Sequence, residues 1–528
     1  MALKDTLLSL SLLMGIASVG YGAPLQRTQN TTMTYDFKDI KPSRELNWQP
    51  CFESFKCTKL TVPLQYDDPE QGDIDIAYIR YDSKNGSAQD IMYNPGGPGA
   101  SGVDSLIDGV ESFVELFGTE YNFVSFDPRG VNNSGSSPLS CGNTTEIYYP
   151  PTPMNILWKQ SKVIGESCTK HNADTTAKFT GTVANVQDMI YFTELQAKAN
   201  KEDPAKAKIW YVGISYGTII GQTLAALYPE RLGRIILDSN ADSVLHYTGY
   251  DPTEATDLDV NFEYFFKWCS EAGSDCPLAT NTSTASDIRG RYDAALKALD
   301  IEPAVVSETD QIITRIDMER KNFDGAYTPT RNYYAIAKRI ADFQAGNLTE
   351  ANFPRSINDG TPGDNSLKII NCVDAAGSYP FKTLDDYETS VNALQNSSNY
   401  WWNIFAFGDA LQCNGMKILP PKSQTFLEFK ETKTSIPILF LNNLGDPITP
   451  IKSAFKMSKY FPGSRVLAVD APGHVAVRGS KCVLKYARSY LKDGSVPPEN
   501  TVCGIEATPT QIFNAGKKTF EIMLADKK

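Results

Sequence analysis

The sequence predicts an α/β fold: a mostly parallel central sheet with helices on both faces, and a mainly helical cap inserted before the last strands. Three observations carry this. Short, nearly continuous apolar runs alternate with helical patterns through the first half of the chain, as strands covered on both faces do. One such run, Ile209 to Ile214, passes through a glycine-flanked serine straight into a helical pattern. The alternation stops near Ser243, gives way to aromatic-rich helical periods, and resumes near Ile436.

At 528 residues the chain exceeds one ordinary core, so a large domain with an insertion, or two domains, is expected. Its 41% apolar and 21% charged residues describe a globular protein. A net charge of −12 argues against nucleic acid and against anionic membrane surfaces as partners.

Lys4 precedes an apolar run from Leu7 to Ala17, followed by small residues at Gly20, Gly22 and Ala23. That is signal-peptide anatomy over residues 1–22, with cleavage after Gly22 or Ala23. Asp5 is atypical there, and a membrane anchor is the rival reading. The run is short for a bilayer span, so a secreted, extracellular protein with no membrane anchor after cleavage is expected. Residues 23–50 read as a polar N-terminal arm.

Residues 51–242 form the first part of the core. Thr58–Leu64 and Asp73–Tyr81 read as an antiparallel hairpin across a polar, glycine-containing turn. Asp90–Tyr93 is a short strand running into Asn94-Pro95-Gly96-Gly97-Pro98-Gly99. Asn122–Phe126 is another, ending in Asp127-Pro128-Arg129-Gly130, which reads as a turn fixed by ion pairing. Ala184–Ala199 has helical spacing, and Arg234–Asp238 is the strand after the serine turn. Residues 243–434 form the helical cap, with patterns such as Phe262–Trp268 and Tyr333–Phe343; Trp401 and Trp402 there are expected to pack in a core. Residues 435–528 complete the core with strands Ile436–Asn443 and Arg465–Val469 and a helix Lys481–Leu491.

Ten cysteines, an even number, fit an oxidising compartment and five disulfides. Sequence does not determine connectivity; neighbour pairing, the simplest scheme, joins Cys51–Cys57, Cys141–Cys168, Cys269–Cys276, Cys372–Cys413 and Cys482–Cys503. Without Cys-x-x-Cys, or a histidine at ligand spacing from a cysteine pair, a metal site is not expected. Asn30, Asn85, Asn132, Asn143, Asn281, Asn347 and Asn396 head Asn-x-Ser/Thr sequons, and seven of them behind a signal peptide point to a glycoprotein.

Gly213-Ile214-Ser215-Tyr216-Gly217, with a strand before and a helix after, has the context of a nucleophile elbow. The turn strains the serine and crowds the positions two residues away, where only small residues fit. A serine hydroxyl needs a base, and the chain has only three histidines: His171, His246 and His474. His474 follows a resumed strand, at the kind of strand end where reactive groups collect in open α/β sheets. Asp446, directly after Ile438–Asn443, can orient its imidazole; Asp470 is the rival acid. Attack on a carbonyl makes an oxyanion that needs two aimed N–H donors. The Tyr216 N–H is one. Gly97, with Gly96 next, supplies the other from the glycine loop, which lacks the spacing of a phosphate cradle.

Together these motifs resemble the prolyl-iminopeptidase and tripeptidyl-aminopeptidase branch of the α/β-hydrolases, over roughly Cys51 to Cys503. The resemblance is to secreted members with a tripeptidyl-aminopeptidase-like C-terminal region. It implies an α/β-hydrolase fold, a Ser215–Asp446–His474 triad, no metal or organic cofactor, and a cap whose acids meet the substrate's free amino terminus. Asp242, Asp251, Glu254 and Asp257 are the acids near the cap junction, with Asp242 and Glu254 the nominated contacts beside Gly96. Family members often carry Gly-Val-x-Asp after Asp238; here Ser239-Asn240-Ala241-Asp242 stands instead. The expected activity is a serine exopeptidase acting on peptides, with an esterase on small esters as the alternative and a silent binding protein as a third reading. A monomer is expected.

Overall fold

The computed structural model describes residues 33–84, 88–135, 139–142, 152–307, 311–348 and 365–525. The predicted signal segment and Asn30, Asn85 and Asn143 lie outside them.

The chain enters through three antiparallel strands, β1 (Gln49–Cys51), β2 (Phe55–Pro63) and β3 (Asp73–Tyr81). β4 (Asp90–Asn94), β5 (Asn122–Phe126), β6 (Ile209–Ile214) and β7 (Leu232–Asp238) then pair in parallel. In the cap, β8 (Ala304–Val306) and β9 (Gln311–Ile313) form their own small antiparallel pair. β10 (Leu439–Gly445), β11 (Arg465–Pro472) and β12 (Val502–Cys503) extend the parallel part of the main sheet. Its order is β1-β2-β3-β5-β4-β6-β7-β10-β11-β12. The connection from β4 goes to β5 on one side, and the chain returns to β6 on the other. The crevice at the carboxyl ends of β4 and β6 is thus a topological switch point, where open α/β sheets bind ligands.

Burial explains why these strands read as continuous apolar runs. Along β6, Ile209 and Tyr211 face one layer of core while Val212 and Ile214 face the other. β7 and β10 split the same way, Ile235 and Phe440 against Ile236 and Leu441. On one face lie α1 (Gly102–Phe117) and, from the end of the chain, a helix that meets it over Val483, Ala487 and Leu491. α2 (Met154–His171), α3 (Thr182–Ala199) and α4 (Tyr216–Leu227) follow, and Val186, Met189, Ile220 and Leu224 of the last two fill the other face. Each fully buried Leu or Ile contributes about 1.5–3 kcal/mol.

The cap comprises α5 (Ser243–His246), α6 (Leu258–Ala272), α7 (Ala285–Ile301), α8 (Arg315–Tyr327), α9 (Pro329–Gln344), α10 (Ser366–Asp374), α11 (Leu384–Ser397) and α12 (Trp402–Phe407). Its centre is aromatic: Trp401 is fully buried with its ring 4.3 Å from that of Phe262, and Tyr292 and Tyr400 pack beside them. After the cap come α13 (Ile451–Ser458), α14 (Lys481–Asp493), which is the helix facing α1, and α15 (Pro509–Ala525). Two helices outside residues 243–434 join the cap's core, α2 through Leu157 and Trp158 and α15 through Ile512 and Phe513. In the opposite sense, Ile369, Ile370 and Val373 of α10, and Phe426 and Phe429 after it, pack into the main core.

All ten cysteines pair as neighbours, Cys51–Cys57, Cys141–Cys168, Cys269–Cys276, Cys372–Cys413 and Cys482–Cys503. Arg129 does form an ion pair, but not within its own turn. It reaches Asp188 on α3 through Nε and Nη2, each at 2.7 Å, and both side chains are fully buried. Asp127 instead accepts from Ser101 Oγ at 2.6 Å and the Val103 N–H at 3.1 Å, pinning the start of α1. Among the described residues no helix is long and apolar enough to cross a membrane.

Candidate active site

Ser215 sits between β6 and α4 with φ 57° and ψ −124°, a conformation that costs a non-glycine residue on the order of 1–3 kcal/mol. Its surroundings hold it there. The Ser215 N–H donates to the Asp238 carbonyl at 3.1 Å, and its own carbonyl accepts the Thr218 N–H at 2.7 Å and the Thr218 hydroxyl at 2.6 Å. A Cβ at Gly217 would lie 2.6 Å from the Asn94 carbonyl, and one at Gly213 would overlap the Gly217 carbonyl. These contacts are why the serine is flanked by glycine at both positions.

Asp446 follows β10, where its Oδ1 accepts the Ile448 and Thr449 N–H groups at 3.1 and 2.9 Å. Its carboxylate meets His474 Nδ1 at 3.0 Å through both oxygens, and its side chain is fully buried. Asp470, the rival acid, is exposed and accepts from the Tyr264 hydroxyl at 2.5 Å. The loop carrying His474 is tied down on three sides. Asp238 accepts the Ala476 and Val477 N–H groups at 2.8 and 2.9 Å, and Ser239 Oγ accepts that of Val475 at 2.7 Å. Asn443 Nδ2 donates to the Gly473 carbonyl at 2.7 Å. From the cap, Tyr327 accepts the His474 N–H at 2.9 Å and sets its ring edge-on to the imidazole at 5.3 Å. Ser215 and His474 thus rise from the carboxyl ends of β6 and β11, at one edge of the sheet with β7 and β10 between them. Among the described residues no hydrogen bond joins their side chains, a link that often tightens only with substrate.

Across the crevice, the glycine loop after β4 lies against the elbow. A Cβ at Gly96 would be 2.6 Å from the Ile214 carbonyl and 2.8 Å from Ser215 Cβ, and its φ is +107°. The Gly96 N–H is already committed to Asn94 Oδ1 at 3.0 Å, so Gly97, which is exposed at φ +104°, is the loop's better-placed donor. Tyr216 is buried at the first turn of α4, where N–H groups and the helix dipole favour negative charge.

The acids named near the cap junction fall in two places: Asp251 lies near Asp242 and Lys456, and Asp257 lies near Asp446. Asp242 caps α5, accepting from the Val244 and Leu245 N–H groups, and pairs with Lys456 at 2.5 Å. Asp251 accepts from Thr253, and Asp257 accepts the Ile451 N–H at 3.1 Å. Glu254 is half-buried at the start of a short helical turn ahead of α6. Of the other two histidines, His171 is exposed and bonded to Ser167, while His246 pairs with Asp374 at 2.8 Å. Asn132, Asn281, Asn347 and Asn396 are exposed, and Asn132 Nδ2 donates to Ser101 and Asp104.

Sequence reading passed over Asn94, Asp238, Tyr327 and Asp374. Asp238 could have been found, because an acid closing a parallel strand beside the elbow strand falls at the same sheet edge. Tyr327 and Asp374 carry no local signal.

Burial pushes the carboxyls of Asp127, Asp238, Asp251 and Asp257 up to about 6. Asp287, Asp386 and Asp493, at exposed turns and helix starts, are held low by the N–H and hydroxyl groups they accept from, so they act below that window. A carboxyl raised in the folded state binds more protons there than in the unfolded chain between pH 4 and 6. Its contribution is full below the unfolded value and fades as pH rises through the folded one. For the fully buried Asp127 and Asp238 this is on the order of 3 kcal/mol each. The thermal midpoint should therefore be higher at pH 5 than at pH 7, and Asp238→Asn should flatten the difference. A midpoint that climbs from pH 5 to 7 contradicts this.

Comparison with known proteins bears on the same residues. Residues 399–503, spanning Asp446 and His474, match the family described as TAP-like protein. The tripeptidyl aminopeptidase of Streptomyces coelicolor is 25% identical over 498 residues, covering 88% of this chain and 87% of that one. Along most of its length the chain is thus similar to a tripeptidyl aminopeptidase. Serine protease Hip1 of Mycobacterium tuberculosis is 23% identical to this hydrolase, with 88% and 92% of the two chains covered. A protein named carboxylesterase B from the same species is 22% identical, with 87% and 89% covered. The chain is accordingly a serine hydrolase.

Proposed function

We propose that this hydrolase is a secreted exopeptidase that removes short peptides or single residues from peptide N-termini through an acyl-enzyme. The observation that carries it is the Asp446–His474 pair at 3.0 Å, after β10 and β11 on the same sheet edge as the elbow serine. Ser215 Oγ attacks the scissile carbonyl while His474 Nε2 takes its proton. Asp446 holds the imidazole in the tautomer this requires and stabilises the imidazolium. The Tyr216 and Gly97 N–H groups meet the oxyanion. His474 then protonates the leaving amine, and a water deprotonated by His474 releases the acyl group and restores Ser215.

The substrate class rests on the relatives named tripeptidyl aminopeptidase and serine protease. Secretion rests on the N-terminal signal anatomy and the five disulfides. Glu254, half-buried at the start of the turn ahead of α6, is the acid proposed to meet the substrate's ammonium. The relative named carboxylesterase B supports the alternative, ester cleavage by the same residues. Matched peptide substrates with free and blocked amino termini decide between them. The exopeptidase should turn over the free-amine series at least about tenfold faster, the worth of about 1.4 kcal/mol of amine recognition. Equal rates, or activity on esters alone, would select the alternative.

A further inference from the structure

Asp374, at the end of cap helix α10, is buried and accepts three hydrogen bonds. Two come from Thr182 at the start of α3, its N–H and its hydroxyl, each at 2.6 Å. The third comes from His246 Nε2 at 2.8 Å. Thr182 Oγ also lies 2.6 Å from the Tyr216 hydroxyl. The directions follow from the donor inventory. A carboxylate only accepts, so the one Thr182 hydroxyl hydrogen goes to Asp374, and the Tyr216 hydroxyl must donate to Thr182. The chain Tyr216–Thr182–Asp374–His246 is therefore polarised toward Asp374 and anchors the Tyr216 ring from behind. Charge-assisted bonds of this kind are the strong ones.

The other end of α10 reaches the second half of the same crevice. A Cβ at Gly99 would overlap the Ser366 hydroxyl and lie 3.2 Å from the Leu367 N–H. Between these ends, Ile369, Ile370 and Val373 pack into the main core. One cap helix thus touches the support of both expected oxyanion donors, the glycine loop at its start and Tyr216 through Thr182 at its end.

We infer that Asp374 is a positioning residue for the oxyanion hole, acting through Thr182 to fix Tyr216 and so aim its backbone N–H. This rests on the oxyanion role of Tyr216 proposed above. Asp374→Asn keeps the size of the side chain but replaces one acceptor by a donor that faces Thr182 or His246. Tyr216→Phe cuts the same chain at its other end and stands in if the first variant folds poorly.

The readout is the rate of phosphonylation of Ser215 by a fluorophosphonate, whose phosphoryl oxygen occupies the oxyanion position whether the natural substrate is a peptide or an ester. It is paired with kcat and KM on a p-nitrophenyl ester, per titrated active site. Each variant should still label to one equivalent, but about tenfold more slowly, with kcat falling in parallel and KM within about twofold. This is less than the 10²–10³ that removing a donor outright costs. The double variant should be no slower than the slower single one, because both break one chain. Labelling and kcat at the wild-type rate, with only a lowered thermal midpoint, would overturn the proposal and leave Asp374 a structural brace. Additive losses in the double variant would overturn it too. A wild-type protein that takes no Ser215-dependent label would instead overturn the nucleophile assignment itself, and this proposal with it.

Discussion

Ser215→Ala is expected to abolish fluorophosphonate labelling and to lower turnover about 10⁴- to 10⁶-fold, whichever acyl substrate is used. The size follows from what remains. Without the hydroxyl there is no acyl-enzyme, and the His474–Asp446 pair has no proton to receive from Ser215. The donors of the crevice can still bind a carbonyl and leave a small residual rate. The fold should hold. Alanine removes only a hydroxyl that bonds to nothing among the described residues, and the backbone bonds to Asp238 and Thr218 survive. The measurement is active-site labelling beside kcat/KM, with thermal midpoints as the control for folding. A Ser215→Ala protein that still takes the label would mean that a different nucleophile carries the chemistry.

Arg129→Met should be the most damaging single change to stability away from the catalytic crevice. The guanidinium is fully buried. Besides its two contacts to Asp188, it donates to the Leu64 carbonyl at 2.7 Å and the Pro63 carbonyl at 2.9 Å. Methionine fills the space yet strips these partners at once. It leaves Asp188 buried with the Tyr66 hydroxyl at 2.9 Å as its remaining named side-chain donor. Breaking a buried pair in this way costs about 3–5 kcal/mol, a large part of a protein's usual stability margin. Urea unfolding of Arg129→Met against wild type measures it. A loss under about 1 kcal/mol would contradict the reading that Arg129 and Asp188 depend on each other in the interior. Replacing Arg129 and Asp188 together by apolar residues should recover much of the loss, because no charge is then stranded.

What could be read from the chain follows a physical division. The elbow is local, since Gly213, Ser215 and Gly217 occupy one turn and their constraints act within a few residues. The parallel strands were visible because both faces of each are buried. Edge strands such as β1 and β12 span two or three residues and leave no pattern. Asp446 and His474 could be nominated because strand ends in a parallel sheet share one edge. The partner of Arg129 could not, because Asp188 lies 59 residues further on and only the packing of α3 brings it near. The same holds for the recruitment of α2 and α15 into the cap, and for His246, which reads as an isolated histidine until α10 delivers Asp374 to it.

The five disulfides have a mechanical consequence. Cys269–Cys276 and Cys372–Cys413 each close a loop inside the helical layer, whereas the other three each staple segments of the sheet layer. Two of these bridges brace the helices that the layers share: Cys168 lies on α2, which lends Leu157 and Trp158 to the cap's core, and Cys372 lies on α10, whose Ile369, Ile370 and Val373 pack into the main core. Hydrogen bonds such as Tyr264–Asp470 and Thr182–Asp374 add to that shared packing, so the covalent braces and the seam between the layers fall on the same helices.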